Sequence, residues 1–406
     1  MWNFQPSPKI SQLSSRVVPP ERTEQRVREV IHRIPVTRIS NLTPLDPLRL
    51  PVFAAVTPLA RDLTTHLGKG LDMVSARVSA LMEAVERVSA EQPPRVTCYI
   101  SFADLQKQPG RQPIDPEAFQ LPSYTTFARN RAFAWMEGHD LISDCTVVLP
   151  ADLVLNPPGE GILGEVDTNG LAAGNTRLEA VVHALCEVIE RDALSQVLFT
   201  TLFAEPEDPY PPVASVDLTT LPETARLWIE QGQSQGLEFV IQYISCDVGV
   251  ATFRTFIIEH AYPTPSGPRC RRFPGYGTYP NAEAAVLRSI TEAVQSRLSI
   301  IQGARDSYNS TPTPHRTVTR SAHLRELMPV HRMPFSDIPS FSSSDLLEEL
   351  TFLLKRIVAA GFQHVVVADL TRSDLGIPVV RVRVPGMSSF LVNRRRVDWR
   401  CLRYLL

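Results

Sequence analysis

Three segments of this 406-residue chain share one pattern, and two of them place paired acidic side chains at a spacing suited to holding a cation. They read Ser79-Ala-Leu-Met-Glu83-Ala-Val-Glu86-Arg87, His183-Ala-Leu-Cys-Glu187-Val-Ile-Glu190-Arg191 and Arg288-Ser-Ile-Thr-Glu292-Ala-Val-Gln295-Ser296, and they align without gaps. Each has an alanine seven positions before its first glutamate (Ala76, Ala180, Ala285). Glycines precede all three: Gly68 and Gly70 around Lys69, Gly170 and Gly174, and Gly275 and Gly277. At about 100° per residue, Ser79, Glu83 and Glu86 share a helical arc of roughly 60°, and Glu179, His183, Glu187 and Glu190 share one of roughly 80°. The apolar residues Val78, Leu81, Val85, Leu185, Val188 and Ile189 lie to the side of these strips. Carboxylates gathered together raise each other's pKa unless a cation compensates. Magnesium suits them, as a hard ion that shares its oxygen ligands between carboxylates and nucleotide phosphates. Glycines before a helix let backbone N–H groups approach a phosphate, where the helix dipole helps, and Lys69 adds a mobile positive charge there. The pattern therefore points to a nucleotide–metal site.

Simpler roles exist for the same residues. Glu-x-x-Glu-Arg on a helix is commonly solvated surface with weak local ion pairs. Thr176 followed by Glu179 fits a capping box, and His183 fits a packed structural histidine. A di-iron carboxylate site expects Glu-x-x-His pairs, which neither helix carries.

The elements that must position these residues are legible from periodicity. Helical patterns run over 22–34, 73–91, 177–200, 219–235, 281–303 and 345–360. Strand-like stretches, short and β-branched, lie at 51–57, 95–102, 132–137, 145–149, 238–244, 251–258, 364–368 and 378–384. Strands mixed with long helices imply an α/β (mixed α+β) fold. Residues 1–20, rich in Pro and Ser, read as a flexible N-terminal segment, with one domain over 21–406. Residues 306–345 read as a mobile loop within it.

Bulk properties exclude several classes. A net charge of −2 argues against a mainly electrostatic nucleic-acid binder, which needs surplus cations. The Arg394, Arg395, Arg396 cluster reads as solvated surface. No apolar run is long enough to span a membrane, and the first residues lack a signal-peptide pattern, so a cytoplasmic protein is expected. The six cysteines are scattered with no Cys-x-x-Cys pair, which argues against a zinc site or disulfide framework and for buried reduced thiols.

At these same residues the chain resembles the YcaO superfamily. The stretches GKGLDMVSARVSALMEAVERVSAE (68–91), TNGLAAGNTRLEAVVHALCEVIERDAL (168–194) and GYGTYPNAEAAVLRSITEAVQSRLSIIQGARD (275–306) carry the likeness, with LGIPVVRVRVPG (375–386) in support. The resemblance implies a mixed α/β domain whose helices surround a nucleotide. It implies ATP- and Mg2+-dependent activation of backbone amides in a peptide or protein substrate. Carried over by position, Glu83, Glu86, Glu187 and Glu190 are the expected magnesium ligands. Ser79, Asn175, Glu179 and Arg191 are the expected nucleotide contacts, joined by Glu292 and Arg297 from the third helix and by Lys69 on the glycine argument. No protein nucleophile is expected. Azoline-forming members end in a PxPxP tail, whereas this chain ends RRRVDWRCLRYLL. That favours the branch that works with a TfuA partner and forms thioamides, with azoline formation second; the stretch VTRISNLTPLDPLRLPVFAAVTP (36–58) looks like that branch. Family members are commonly homodimers. The alternative expectation is a non-catalytic accessory factor, for example in methylthiolation of ribosomal protein S12. Retention of all four glutamates argues against it.

Overall fold

The computed structural model describes residues 2–92, 95–164, 167–203, 213–244, 246–259, 272–303 and 331–405. In chain order its elements are α1 (Pro20–Val30), β1 (Arg38–Asn41), β2 (Val52–Val56), β3 (Thr65–Lys69), α2 (Met73–Ala90), β4 (Val96–Ser101) and α3 (Phe102–Leu105). There follow β5 (Ala132–Asp140), β6 (Cys145–Pro150), α4 (Ala151–Val154), β7 (Leu171–Ala173), α5 (Arg177–Phe203), β8 (Val213–Val216) and α6 (Glu223–Ser234). The rest are β9 (Leu237–Ile244), β10 (Thr252–Glu259), β11 (Arg272–Thr278), α7 (Ala282–Gln302), β12 (Arg332–Met333), α8 (Leu346–Ala359), β13 (Val366–Asp369), β14 (Val379–Arg383) and α9 (Trp399–Leu402). The α/β expectation holds. Among the described residues no helix is long and apolar enough to cross a membrane.

Among the described residues the strands form three sheets. One has the order β1-β2-β3, a second β11-β10-β9-β8-β12, and a third β4-β5-β13-β14-β7 with β6 added on β5. Helix α5 contacts β14, β7, β11 and α8, and is buried almost along its length. Its sequence explains this: Val181, Val182, Leu185, Val188 and Ile189 are apolar around more than one face, as a central helix requires. Helix α2 packs the alanine face Ala76, Ala80 and Ala84 on the β2–β3 hairpin and buries a second face, Val78, Leu81, Val85 and Val88, in the core with β5 and β13, while α7 packs on the β10–β11 hairpin.

The threefold sequence pattern is a structural repeat at the helix starts. A Cβ on Gly68 would lie 2.4 Å from the Ala76 carbonyl oxygen and 2.0 Å from the Ala80 nitrogen. On Gly277 it would lie 2.1 Å from the Ala285 oxygen and 2.6 Å from the Ser289 nitrogen. These are the same positions, 209 residues apart (285−76 and 289−80). On Gly70 and Gly174 it would lie 2.5 and 2.6 Å from the nitrogens of Ala76 and Ala180, the same pairing again. Each alanine singled out by the alignment is thus the point where a preceding strand or turn meets its helix, backbone to backbone.

This corrects the reading of those glycines as phosphate cradles. Gly68, Gly275 and Gly277 lie in paired strands, opposite Phe53, Thr255 and Phe253. The helix starts are capped by the chain's own side chains: Asp72 accepts from the Ser75 N–H, Thr176 from the Glu179 N–H and Asn281 from the Ala284 N–H. The strands β3 and β11 were missed because interior glycine counts against a strand, unless another backbone must come close.

Two expectations on segment order are also revised. The N-terminal segment is docked: Lys9 lies buried with its Nζ 2.6 Å from Glu349, and the Val17 N–H donates to Glu179 at 2.7 Å. It shows no periodicity because side chains and isolated backbone bonds hold it, such as Leu346 N–H to the Ser7 oxygen at 3.0 Å. Of the 306–345 stretch, 306–330 lies outside the described residues. Residues 331–345 pack in place, with β12 pairing β8 and the Ser340 hydroxyl accepting from the Ala282 N–H at 3.0 Å.

Candidate nucleotide–metal site

Helices α2, α5 and α7 bring the expected acids together. The Glu86 carboxyl feels the charges of Glu83 on its own helix and of Glu187 on α5; Glu187 and Glu190 both feel Glu292 on α7. Five carboxylates from three helices therefore share one electrostatic neighbourhood. Cations are threaded among them. Arg87 approaches Glu83 at 3.7 Å, and Arg191 approaches Glu187 at 3.8 Å and Glu190 at 3.6 Å. Lys69, at the end of β3, is ion-paired with Glu292. The Arg191 guanidinium also lies over the Tyr276 ring, 5.6 Å from its centroid.

The protonation states show that the cations do not suffice. Burial pushes the Glu86 carboxyl up to about 8, aided by Glu83 and Glu187 and only partly opposed by Arg87 and the Ala173 N–H, which donates to it at 3.2 Å. Burial and the Glu292 and Glu187 charges push Glu190 up to about 7, against Arg191 and Lys69. Glu187 is raised mainly by burial. Burial also acts on Glu292, but Lys69, Arg191 and Arg288 outweigh it and hold that carboxyl below its usual range. This is a place where added positive charge stabilises the protein.

Among the described residues no three His, Cys, Asp or Glu side chains are grouped to hold a metal ion by themselves. The donor set nevertheless fits magnesium, which is bound through one or two carboxylates plus phosphate and water oxygens rather than in an all-protein cage. Glu83, Glu86, Glu187 and Glu190 would supply those carboxylates.

Other expected contacts divide. Ser79 stands one turn before Glu83, half-buried on the same face of α2. Asn175 and Glu179 form their own station at the start of α5, roughly 12 Å along the helix from Glu187. There Glu179 accepts from the Asn175 N–H at 2.7 Å and Asn175 Nδ2 at 2.9 Å, while Thr23 donates to Asn175 Oδ1 at 2.9 Å. Glu179 completes a variant of the capping box and anchors the N-terminal segment. Arg297 does not join the acids. It lies five residues after Glu292, about 140° around α7, where its Nε is 3.0 Å from Asp46 and its Nη1 pairs with Glu259. The expectation that Arg297 contacts nucleotide is corrected to a buried structural pair.

His183 is the acceptor for Arg288, with Nδ1 2.8 Å from Nη2, and burial with that neighbouring charge holds it well below its ordinary value. It is neutral and structural. Arg288, which occupies in α7 the place of Ser79 in α2, was not singled out from sequence although the alignment marked its position. The thiols of Cys98, Cys145, Cys186, Cys246 and Cys401 are free, and burial pushes Cys186 and Cys401 up to about 12.

A pH dependence follows. An unfolded Glu86 ionises near 4.5, the folded one near 8. Between those values the native state holds a proton that the unfolded chain has lost. Metal-free stability therefore falls as pH rises through this window, with a limiting slope of about 1.4 kcal/mol per pH unit for each such group. Glu86→Gln removes that slope. Its melting temperature without metal is expected to gain on the parent steadily from pH 5 to pH 8; parallel profiles would contradict the placement of Glu86.

Comparisons with known proteins give the family and its cofactors. The family model described as YcaO cyclodehydratase, ATP- and Mg2+-binding, matches residues 67–388. An uncharacterised protein of Methanothermobacter thermautotrophicus is 33% identical over 95% of this chain and 98% of its own length. An uncharacterised protein from the tfuA 3′ region of Rhizobium leguminosarum bv. trifolii is 31% identical over 93% and 90%. Among solved structures, YcaO from Methanopyrus kandleri bound with AMPPCP and Mg2+ is 26% identical, covering 94% of this chain and 95% of that one with a TM-score of 0.71. A heterocyclase in complex with substrate and cofactor shares the fold, with a TM-score of 0.76 at 23% identity over 96% of this chain and 54% of that one. With the family model spanning most of its length and the acid-bearing helices inside that span, this chain belongs to the YcaO cyclodehydratase family of enzymes.

Proposed function

We propose that this chain, as a cytoplasmic homodimer, uses ATP and Mg2+ to phosphorylate backbone amides of a peptide or protein substrate, and that the product is a thioamide formed together with a TfuA-like partner. The observation that carries the reading is the convergence of Glu83, Glu86, Glu187, Glu190 and Glu292 from three helices, with two of the carboxyls raised to about 8 and about 7. The Methanopyrus YcaO holding AMPPCP and Mg2+ supports the nucleotide, and the Rhizobium relative from a tfuA 3′ region supports the partner.

In this reading Glu83, Glu86, Glu187 and Glu190 face the metal, while Lys69, Arg191, Ser79 and Glu292 face the nucleotide. Asn175 and Glu179 tie the N-terminal segment to the same helix and contact the nucleotide from its far side. Magnesium, when bound, offsets charge on the phosphates during transfer. Arg191, braced by Glu187, Glu190 and Tyr276, presents a fixed cation to the same charge. The Glu86 and Glu190 carboxyls give up their protons as the site fills. An amide oxygen is a poor leaving group until it is phosphorylated. Its oxygen takes the terminal phosphoryl group as the bond from that phosphorus to ADP breaks; sulfide adds at the amide carbon, and inorganic phosphate leaves with the oxygen.

Co-expression with a candidate peptide and a TfuA-like protein, read by mass spectrometry, tests the product. Exchange of oxygen for sulfur is expected. Loss of water would show azoline formation instead, and an unmodified peptide beside intact Mg2+-dependent nucleotide binding would overturn the substrate assignment.

A further inference from the structure

Strand β14 carries two arginines through the core. Arg381 and Arg383 are two residues apart and so project from the same face, with Arg381 0% and Arg383 7% exposed. Among the described residues, the carboxylate within 4 Å of them is Asp167, at 3.9 Å from Arg381 and 3.5 Å from Arg383. Arg383 donates its Nε to the Leu153 oxygen at 2.9 Å, and Arg381 donates Nη2 to the Asp167 backbone oxygen. That leaves Nε and Nη1 of Arg381, Nη2 of Arg383 and Nε of Arg87 buried without a hydrogen-bond partner among the described residues.

Such an arrangement is costly. A buried guanidinium keeps its proton, and a buried charge without adequate pairing destabilises a fold by several kcal/mol. Unsatisfied buried donors of this kind need a functional or structural explanation. Their location supplies one. Arg381 is opposite Leu171 of β7, two residues from Ala173, whose N–H holds Glu86. Arg381 also feels the charges of Glu187 and Arg87 directly. The open donors therefore form a cationic wall beside the acids that face the metal. Forked, always-charged donors are complementary to the oxygens of a phosphoryl group.

We propose that Arg381, backed by Arg383 and Arg87, is the binding subsite for the terminal phosphoryl group of the nucleotide. This rests on the ATP reading above. The wall holds phosphoryl oxygens from the side opposite the carboxylates, so that a phosphoryl group enters between fixed positive donors and the metal-facing acids.

The test compares binding of Mg2+-ADP with and without orthovanadate, a mimic of the transferring phosphoryl group, in the full chain and in Arg381→Met. The parent should bind ADP at least tenfold more tightly when vanadate is present. Arg381→Met should lose that increment while its affinity for ADP alone stays within threefold. Removal of an incompletely satisfied buried charge should also leave the ligand-free variant melting at or above the parent, whereas a purely structural arginine would lower it. Retention of the vanadate increment, or a lowered ligand-free melting temperature, overturns the proposal. Should Arg381→Met fail to fold, Arg381→Lys keeps the charge but loses the fork; an unchanged increment there overturns it equally. A parent that binds no Mg2+-ADP at all would sink the ATP reading itself, a distinct result.

Discussion

Glu187→Ala is expected to lower Mg2+-dependent ATP affinity by about 100-fold or more, corresponding to about 2.7 kcal/mol, while leaving the fold intact. Glu187 sits where the three acid-bearing helices meet: it acts on Glu86, feels Glu292, and is braced by Arg191 at 3.8 Å. Removing it deletes a ligand charge and takes from Arg191 one of its two carboxylates within 4 Å among the described residues. Because burial, with a smaller contribution from the Glu292 charge, raises the Glu187 carboxyl in the metal-free protein, the loss of that group removes a poorly solvated acid, so the variant should be no less stable than the parent. Glu83→Ala should behave alike, through the pairing with Arg87. Isothermal titration with a nonhydrolysable ATP analogue, with and without Mg2+, separates the cases. Unchanged Mg2+-dependent affinity in both variants would show that these acids do not face the metal.

The second large effect concerns folding rather than binding. Gly277→Ala is expected to destabilise the protein by about 3–5 kcal/mol, enough to deplete the soluble folded chain. The new Cβ would lie 2.1 Å from the Ala285 carbonyl oxygen, a backbone atom within α7 that cannot rotate away. Gly68→Ala meets the Ala80 nitrogen at 2.0 Å and should fail in the same way. Gly159→Ala, with nothing within 4 Å of its Cβ, serves as the control. Chemical denaturation would measure the difference; a Gly277→Ala protein as stable as the control would mean that the strand and helix are not packed this closely.

These two predictions mark where sequence was informative. The long helices were legible because their apolar stripes repeat at helical period: α2, α7 and α8 fall within a residue or two of the expected bounds. The site acids were legible for a related reason, since Glu-x-x-Glu on one face survives in two copies and, as Glu292, in part of a third. What was illegible depended on partners distant in the chain. The strands β3 and β11 contain glycines whose purpose is visible only once the helix they touch is placed. Arg297 looked like a ligand because it lies near Glu292 in sequence, but Asp46 and Glu259 claim it from other elements. Arg381 stood in plain view within the apolar run Val379-Val380-Arg381-Val382-Arg383, where alternating arginines in a buried strand were themselves the signal.

The docked N-terminal segment bears on how the polypeptide matures. Lys9 and its partner Glu349 are 340 residues apart in sequence. At roughly 5–20 residues per second of synthesis, Lys9 waits tens of seconds before the helix it locks against exists. Strand β7 waits likewise for β14, its neighbour in the sheet. Until then Tyr279, whose hydroxyl donates to Glu349, also lacks its final environment. Completion of this enzyme is therefore a late event on the ribosome or after release, and an interrupted translation product ending before residue 349 would present its unsealed core to chaperones and proteases.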